Sequence, residues 1–180
     1  MLFATDRSAL LLVDVQARLA PAIAGAQDCI ERCRRLVLAA RELAVPVLAS
    51  EQYPKGLGHL VPELAALLES PEIFAKTHFS AAADPATAAA LAGLGRDQVI
   101  VCGMEAHVCV LQTALGLQET GYRPAVIADA VGARDPANRE RGLARLAANG
   151  VEIATSEMVM FEWLGQAGTD AFRAVLPLIR

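Results

Sequence analysis

The sequence predicts an α/β fold, a three-layer α/β/α sandwich around a six-stranded, mostly parallel sheet. Two observations predict it. Short apolar runs such as "SALLLVD" (8–14) and "QVIVCG" (98–103) have the length and uninterrupted hydrophobicity of strands buried on both faces. Amphipathic stretches of ten or more residues separate the clearest of them, and parallel pairing needs crossovers of that kind.

The elements follow in order. After the first strand, residues 29–44 place Ile30, Cys33, Val37, Ala40 and Ala44 at helical spacing, with arginines and glutamates on the other side. "VPVLAS" (45–50) reads as the second strand, its Pro46 near the start where a missing donor does least harm. A loop, "EQYPKGLGH", leads to a short helix around "PELAALLE" and a brief strand, "IFAK" (73–76). The helix "DPATAAALAGL" has Asp84 as its expected N-cap and Pro85 at its first position. The fourth strand is followed by a helix over 108–120 closed by Gly121, then the strand "RPAVIAD". The helix "ANRERGLARLAANG" closes on Gly150, "VEIAT" is the last strand, and helical patterns cover 157–164 and 169–176. No repeat, low-complexity tract or linker interrupts the chain, so residues 1–180 are expected to form a single domain.

Composition excludes several function classes. Hydrophobic residues make up 54% and charged residues 20%, against a disordered chain. The apolar runs are too short to cross a bilayer, and no membrane partner is expected. A net charge of -4 without a basic cluster argues against nucleic acid. The N-terminal stretch carries acidic residues and no basic leader, so it reads as a strand rather than a signal peptide. The four cysteines show no disulfide framework, which points to a reducing cytoplasm.

In an open parallel sheet, ligands sit outside the carboxyl ends of the strands. Asp14, Lys76 and Cys109 fall at or shortly after such ends, as do Glu51, Asp129 and Ser156. A carboxylate, an ammonium and a thiol are the parts needed for covalent attack on a carbonyl. Cys109 lies where a helix begins, and unpaired amides there with one nearby cation are expected to lower its thiol pKa by roughly two units. Cys102 sits inside a strand and reads as core; Cys29 and Cys33 share a helical face with no histidine within ten residues and read as packing. Neither HxH nor HExxH occurs, GxSxG is absent, and "KGLG" matches no nucleotide-binding loop.

With "LLLVDVQ", "KTHFSA", "GMEAHVCVLQTA" and "VIADAVGARD" in this order and spacing, the chain resembles the isochorismatase-like cysteine hydrolases, a family of Rossmann-like architecture. The match runs from Ser8 to about Leu164. The resemblance implies hydrolysis of a small carbonyl compound at an amide or urea-type C–N bond through a thioester-type acyl-enzyme. It gives Cys109 the role of nucleophile, Asp14 that of proton acceptor, and Lys76 that of holding both in place. It also implies a cis peptide between Met104 and Glu105, and an oxyanion hole formed by the amides of Glu105 and Cys109.

Two departures stand out. Ala106 occupies a position where many family amidases have threonine, and the loop "SEQYPKGLGHL" lacks the Asp/His cluster of nicotinamidases. Glu51, His59 and, from the next strand, His78 are too few and too scattered for a metal site, so the chain is closest to the metal-free branch and no cofactor is expected. Gln16, Tyr53, Phe79 and His107 flank the reactive trio and are the expected pocket-lining residues. The resemblance and a mean hydropathy of +0.38 point to a homo-oligomer acting on a small-molecule substrate. Two rival readings are a metal-independent vinyl-ether hydrolase of isochorismatase type, which needs no nucleophilic cysteine, and a non-catalytic binding protein that keeps the pocket.

Overall fold

The computed structural model describes residues 2–179. Six strands form one sheet in the order β3-β2-β1-β4-β5-β6. They are β1 (Ser8–Val13), β2 (Val47–Gln52), β3 (Ile73–Lys76), β4 (Gln98–Met104), β5 (Arg123–Gly132) and β6 (Glu152–Ala154). Every pairing is parallel, where the sequence led us to expect a mostly parallel sheet. The helices are α1 (Ala26–Glu42), α2 (Pro54–Leu57), α3 (Pro62–Ala65), α4 (Pro85–Gly93), α5 (Cys109–Glu119), α6 (Pro136–Ala148), α7 (Ser156–Leu164) and α8 (Asp170–Ile179).

Strand side chains alternate between two cores, as a period of two requires. Leu10, Leu12, Ile100 and Cys102 pack with Cys33, Val37, Trp163 and Val175 of α1, α7 and α8. Leu11, Val13, Val99 and Val101 face Leu91, Val110 and Leu146 of α4, α5 and α6. The continuous apolar runs read as two-faced strands because both faces of each are covered.

Several element ends differ from the sequence reading, each for a local reason. β2 begins at Val47 because Pro46 donates no amide and only its carbonyl joins the sheet, accepting from Leu10 N at 2.8 Å. β5 continues past Asp129 to Gly132, its register shifting between Val101 and Gly103 of β4. The helix expected over 62–69 stops at Ala65, and α2 was not anticipated within a loop carrying Gly56 and Gly58. Asp84 does cap α4, accepting from Thr87 N at 3.0 Å.

In this strand order the chain winds outward in opposite directions from β1 and β4. The carboxyl ends of those two neighbours therefore flank the crevice where a ligand is held. Gly103 permits their close approach. Its φ is +119°, and a Cβ there would lie 2.0 Å from the carbonyl oxygen of Val13. Among the described residues no helix is long and apolar enough to cross a membrane.

Candidate active site

Asp14 follows β1 with φ +51°, a left-handed conformation that aspartate tolerates better than most residues. Lys76 ends β3. Cys109 is the first residue of α5, preceded by Val108 at the cap position. The three segments bring the three side chains together. Lys76 Nζ donates to Asp14 Oδ2 at 2.7 Å, and neither side chain has measurable exposure. The Cys109 thiol lies beside both, and the residue as a whole is 6% exposed.

Each partner of the ion pair has further bonds. Ser50 Oγ donates to Asp14 Oδ1 at 2.7 Å. Lys76 Nζ also donates to Gln52 Oε1 at 2.7 Å and to the Phe79 carbonyl at 3.1 Å. An ammonium has three N–H bonds, so its donor capacity is filled. Paired and bonded in this way, two charges that are costly to bury alone are tolerated.

Asp14 and Cys109 stand at the wall of a cavity of about 370 Å³, lined also by Gln52, Phe79, Glu105 and Arg134 together with Leu19, Ala22, Leu57 and Val108, with Lys76 enclosed behind Asp14. Glu105 follows a cis peptide after Met104. Its carboxylate accepts from Arg134 N at 2.9 Å and from Arg134 Nε at 3.1 Å. The loop is pinned to β5 where Ala106 N donates to the Gly132 carbonyl at 2.8 Å. Among the described residues neither the Glu105 nor the Cys109 amide donates to a backbone carbonyl in the loops and turns.

The thiol differs from the sequence expectation in the direction of its pKa. Burial and the Asp14 carboxylate push it up to about 12, with Lys76 pulling the other way. A helix start and one cation do not lower it because the enclosing residues remove water and the Asp14 carboxylate opposes the ammonium. The resting thiol is therefore protonated, with an acceptor beside it.

Of the residues expected to line the pocket, Phe79 does so. Gln16, Tyr53 and His107 do not. The amide of Gln16 is fully buried and bonds to Gln52 N at 2.8 Å, the Gln52 carbonyl at 3.0 Å and the Gly58 carbonyl at 2.5 Å. Tyr53 is half exposed with its ring against Gly56. His107 points to the far side of α5, into a larger cavity of about 590 Å³ that also holds Ser80, Gln112 and Arg145. That space contains none of the trio, so the smaller cavity is the candidate site.

Sequence reasoning missed Ser50, Gln52 and Arg134, although each lies at or just past the carboxyl end of a strand, and Arg134 falls within the quoted "VGARD". The other polar residues at strand ends serve structure. Asp129 accepts from Ser156 N and Oγ at 2.7 and 2.6 Å. Glu51 accepts from Leu60 N at 2.7 Å and lies 2.9 Å from His59 Nδ1. With Glu51 so engaged and His78 exposed, the residues present do not fit the metal cluster of nicotinamidases. Among the described residues no group of three His, Cys, Asp or Glu is placed to hold an ion.

Comparison with known proteins identifies the family and the fold. The isochorismatase domain family matches residues 8–158. Isochorismatase domain-containing protein 1 of Salmo salar is 39% identical over 168 residues, covering 93% of this chain and 59% of that protein. The chain thus spans about three-fifths of that relative's length. Isochorismatase domain-containing protein 2 of Danio rerio is 36% identical over 175 residues, covering 97% of this chain and 88% of its own. The structure of MAR1 ribonuclease from Caenorhabditis elegans superposes with a TM-score of 0.93 at 38% identity, covering 99% of this chain and 92% of that one. YcaC of Escherichia coli, described as an octameric hydrolase of unknown specificity, superposes with a TM-score of 0.93 at 25% identity, covering 99% and 89%. These matches extend over the strands, the crevice and the loop that carries Cys109, and on them the chain belongs to the isochorismatase family of hydrolase-like α/β proteins.

Proposed function

We propose that the protein is a cysteine-dependent hydrolase of a small carbonyl compound, cleaving an amide or urea-type C–N bond. The observation that carries this reading is the enclosed Lys76–Asp14 pair set against the Cys109 thiol at a cavity wall. Asp14 removes the thiol proton as sulfur attacks the carbonyl carbon, so thiolate forms only as the new bond does. The developing oxyanion is met by the amides of Glu105 and Cys109. The C–N bond breaks, the amine leaves with the proton held by Asp14, and a thioester remains. Water then attacks the thioester carbon and gives one proton to Asp14; as the C–S bond breaks, Asp14 returns that proton to sulfur, releasing the acid and restoring thiol and carboxylate. Lys76 supplies a fixed positive charge throughout, its three N–H groups being already committed.

The cavity's largely aliphatic wall suits a small organic molecule, and Arg134, held at Glu105 through Nε, offers a cationic edge to an acidic or carbonyl substituent. Acrylamide, an alkylator of thiols, is described as covalently bound in YcaC of Pseudomonas aeruginosa, which fits a family site with a nucleophile. The ribonuclease named for the nematode neighbour is a less suitable reading here, given a net charge of -4. The reading also includes one domain over residues 1–180, a cytoplasmic setting that keeps the four free thiols reduced, and a homo-oligomer by analogy with the octameric neighbour.

The raised thiol pKa favours one alternative, a vinyl-ether hydrolysis that needs no attack by sulfur. A panel of amides, ureas and vinyl ethers assayed with the parent and Cys109→Ala separates the two. Loss of amide or urea turnover by at least about 10³-fold supports the cysteine mechanism. Full activity in Cys109→Ala on a vinyl ether replaces it, and tight binding without turnover by the parent removes the enzymatic reading.

A further inference from the structure

We infer that Ser50 and Gln52 are positioning residues that fix the two halves of the Asp14–Lys76 pair, and that Gln16 acts by holding Gln52. The inference rests on the proposed hydrolase reading and deepens it.

Ser50 and Gln52 are alternate residues of β2, so the pleat turns both side chains to one side while Glu51 faces the other. That side carries the ion pair. Ser50 Oγ, fully buried, donates to Asp14 Oδ1 at 2.7 Å, while Lys76 occupies Oδ2. The carboxylate thus has one donor on each oxygen, which fixes the rotation of its plane about Cβ–Cγ. The lone pairs left to accept the thiol proton then point in one direction.

Gln52 does the same for the ammonium. Its Oε1 accepts from Lys76 Nζ at 2.7 Å, and its Nε2 donates to the Thr77 carbonyl at 2.9 Å, so the amide cannot flip without losing both bonds. The main chain of Gln52 is gripped in turn by the Gln16 amide, which accepts from its N–H and donates to its carbonyl. Gln16 is two residues from Asp14, so a single chain of bonds ties the β1 turn, β2 and the β3 end together. Misplacing a reacting group by a fraction of an ångström is costly, and such supporting bonds prevent it.

A merely structural role predicts loss of stability; a positioning role predicts loss of kcat. The test uses Ser50→Ala, Ser50→Thr and Gln52→Met, with steady-state kinetics on a substrate from the panel, melting temperature, and the rate of Cys109 alkylation by iodoacetamide at pH 7.5. Ser50→Ala and Gln52→Met are expected to lower kcat about 10–100-fold, the scale of one hydrogen bond to a charged group, with KM within about threefold. Gln52→Met should slow Cys109 alkylation, because a displaced Lys76 favours thiolate less, and Ser50→Ala should change the rate by altering how Asp14 faces the thiol. Ser50→Thr, which keeps the hydroxyl, should restore most of kcat.

Parental kcat and alkylation rates in both Ser50→Ala and Gln52→Met overturn the inference. So does a loss carried wholly by KM, or a Ser50→Thr variant as slow as Ser50→Ala. If the parent turns over no substrate, the hydrolase reading fails while the alkylation rates still decide the positioning roles. If one variant does not fold, the other carries the same comparison.

Discussion

Lys76 Nζ and Asp14 Oδ2 lie 2.7 Å apart with both side chains fully enclosed. In water such a pair is worth little, but inside a protein each charge depends on the other to offset its lost hydration. Removing one partner leaves the other buried and uncompensated.

Lys76→Met is therefore expected to lose about 3–5 kcal/mol of stability, and the double variant Asp14→Asn with Lys76→Met to recover much of it. Urea denaturation of the four proteins in that cycle measures the coupling. Additive losses would show that the pair is not energetically joined. None of the three variants should retain turnover, because stability and chemistry here rest on different requirements of the same two groups.

Gly103 gives a second prediction, at the close approach of β1 and β4. A Cβ at this position would stand 2.0 Å from the Val13 carbonyl oxygen and 2.8 Å from Val13 N and C, in a backbone conformation of φ +119°. Gly103→Ala must push the two strands apart where Asp14 and the Cys109 loop diverge, at a cost of about 4 kcal/mol or more. Gly121, with φ +89° and nothing within 4 Å, is the control. Gly121→Ala should cost only the backbone strain, about 1–2 kcal/mol. Equal destabilisation of the two by thermal or urea unfolding would refute the steric account.

These two cases show what was legible in the sequence. The strands were readable because both faces of the sheet are covered, so their residues form unbroken apolar runs. Asp14, Lys76 and Cys109 stood out because each is a polar residue at or shortly after the carboxyl end of such a run. Ser50 and Gln52 lie at a strand's carboxyl end too, but serine and glutamine are ordinary surface residues, and only their bonds to Asp14 and Lys76 distinguish them. Gln16 and His107 were misjudged for the opposite reason. Closeness in sequence to Asp14 and Cys109 does not fix direction: Gln16 turns toward the β2 backbone, and His107 leaves the loop on the far side of α5. The direction of the thiol pKa was equally out of reach, since it depends on how much water the fold excludes.

The loop after β2 bears on metal. Glu51 is committed to the Leu60 amide and to His59, and a zinc site wants at least three protein ligands. Turnover should thus survive dialysis against EDTA, and elemental analysis of untagged protein should find metal well below one ion per chain. Near-stoichiometric zinc, iron or manganese, with activity lost to chelator and restored by that ion, would reverse this view.

The Cys109 thiol supplies the last prediction. With burial and the Asp14 carboxylate pushing its pKa from the ordinary 9.0 up to about 12, the resting thiol is almost wholly protonated at pH 7. Alkylation by iodoacetamide should accordingly be slow, yet still fall on Cys109 before the core thiols Cys29, Cys33 and Cys102. Asp14 raises the thiol pKa and Lys76 lowers it, so removing the carboxylate has opposite effects on reactivity and catalysis. Asp14→Asn should alkylate faster than the parent at neutral pH, because Lys76 is then unopposed, while turnover disappears for want of a proton acceptor. The same shift makes stability depend on alkaline pH. Neighbouring Cys102 and Cys29, with burial, also push the Cys33 thiol up. Unfolded, these thiols lose their protons near pH 9; folded, Cys109 keeps its proton to about 12. Between those values the unfolded chain binds fewer protons, so stability is fully present below about pH 9 and falls as pH rises toward 12. Thiolate absorbance near 240 nm, followed alongside circular dichroism, should show thiol ionisation arriving together with unfolding. A folded protein with one thiolate titrating near pH 7, or an Asp14→Asn variant alkylated more slowly than the parent, would contradict the assignment of Asp14 as the group that opposes ionisation at rest and accepts the proton in turnover.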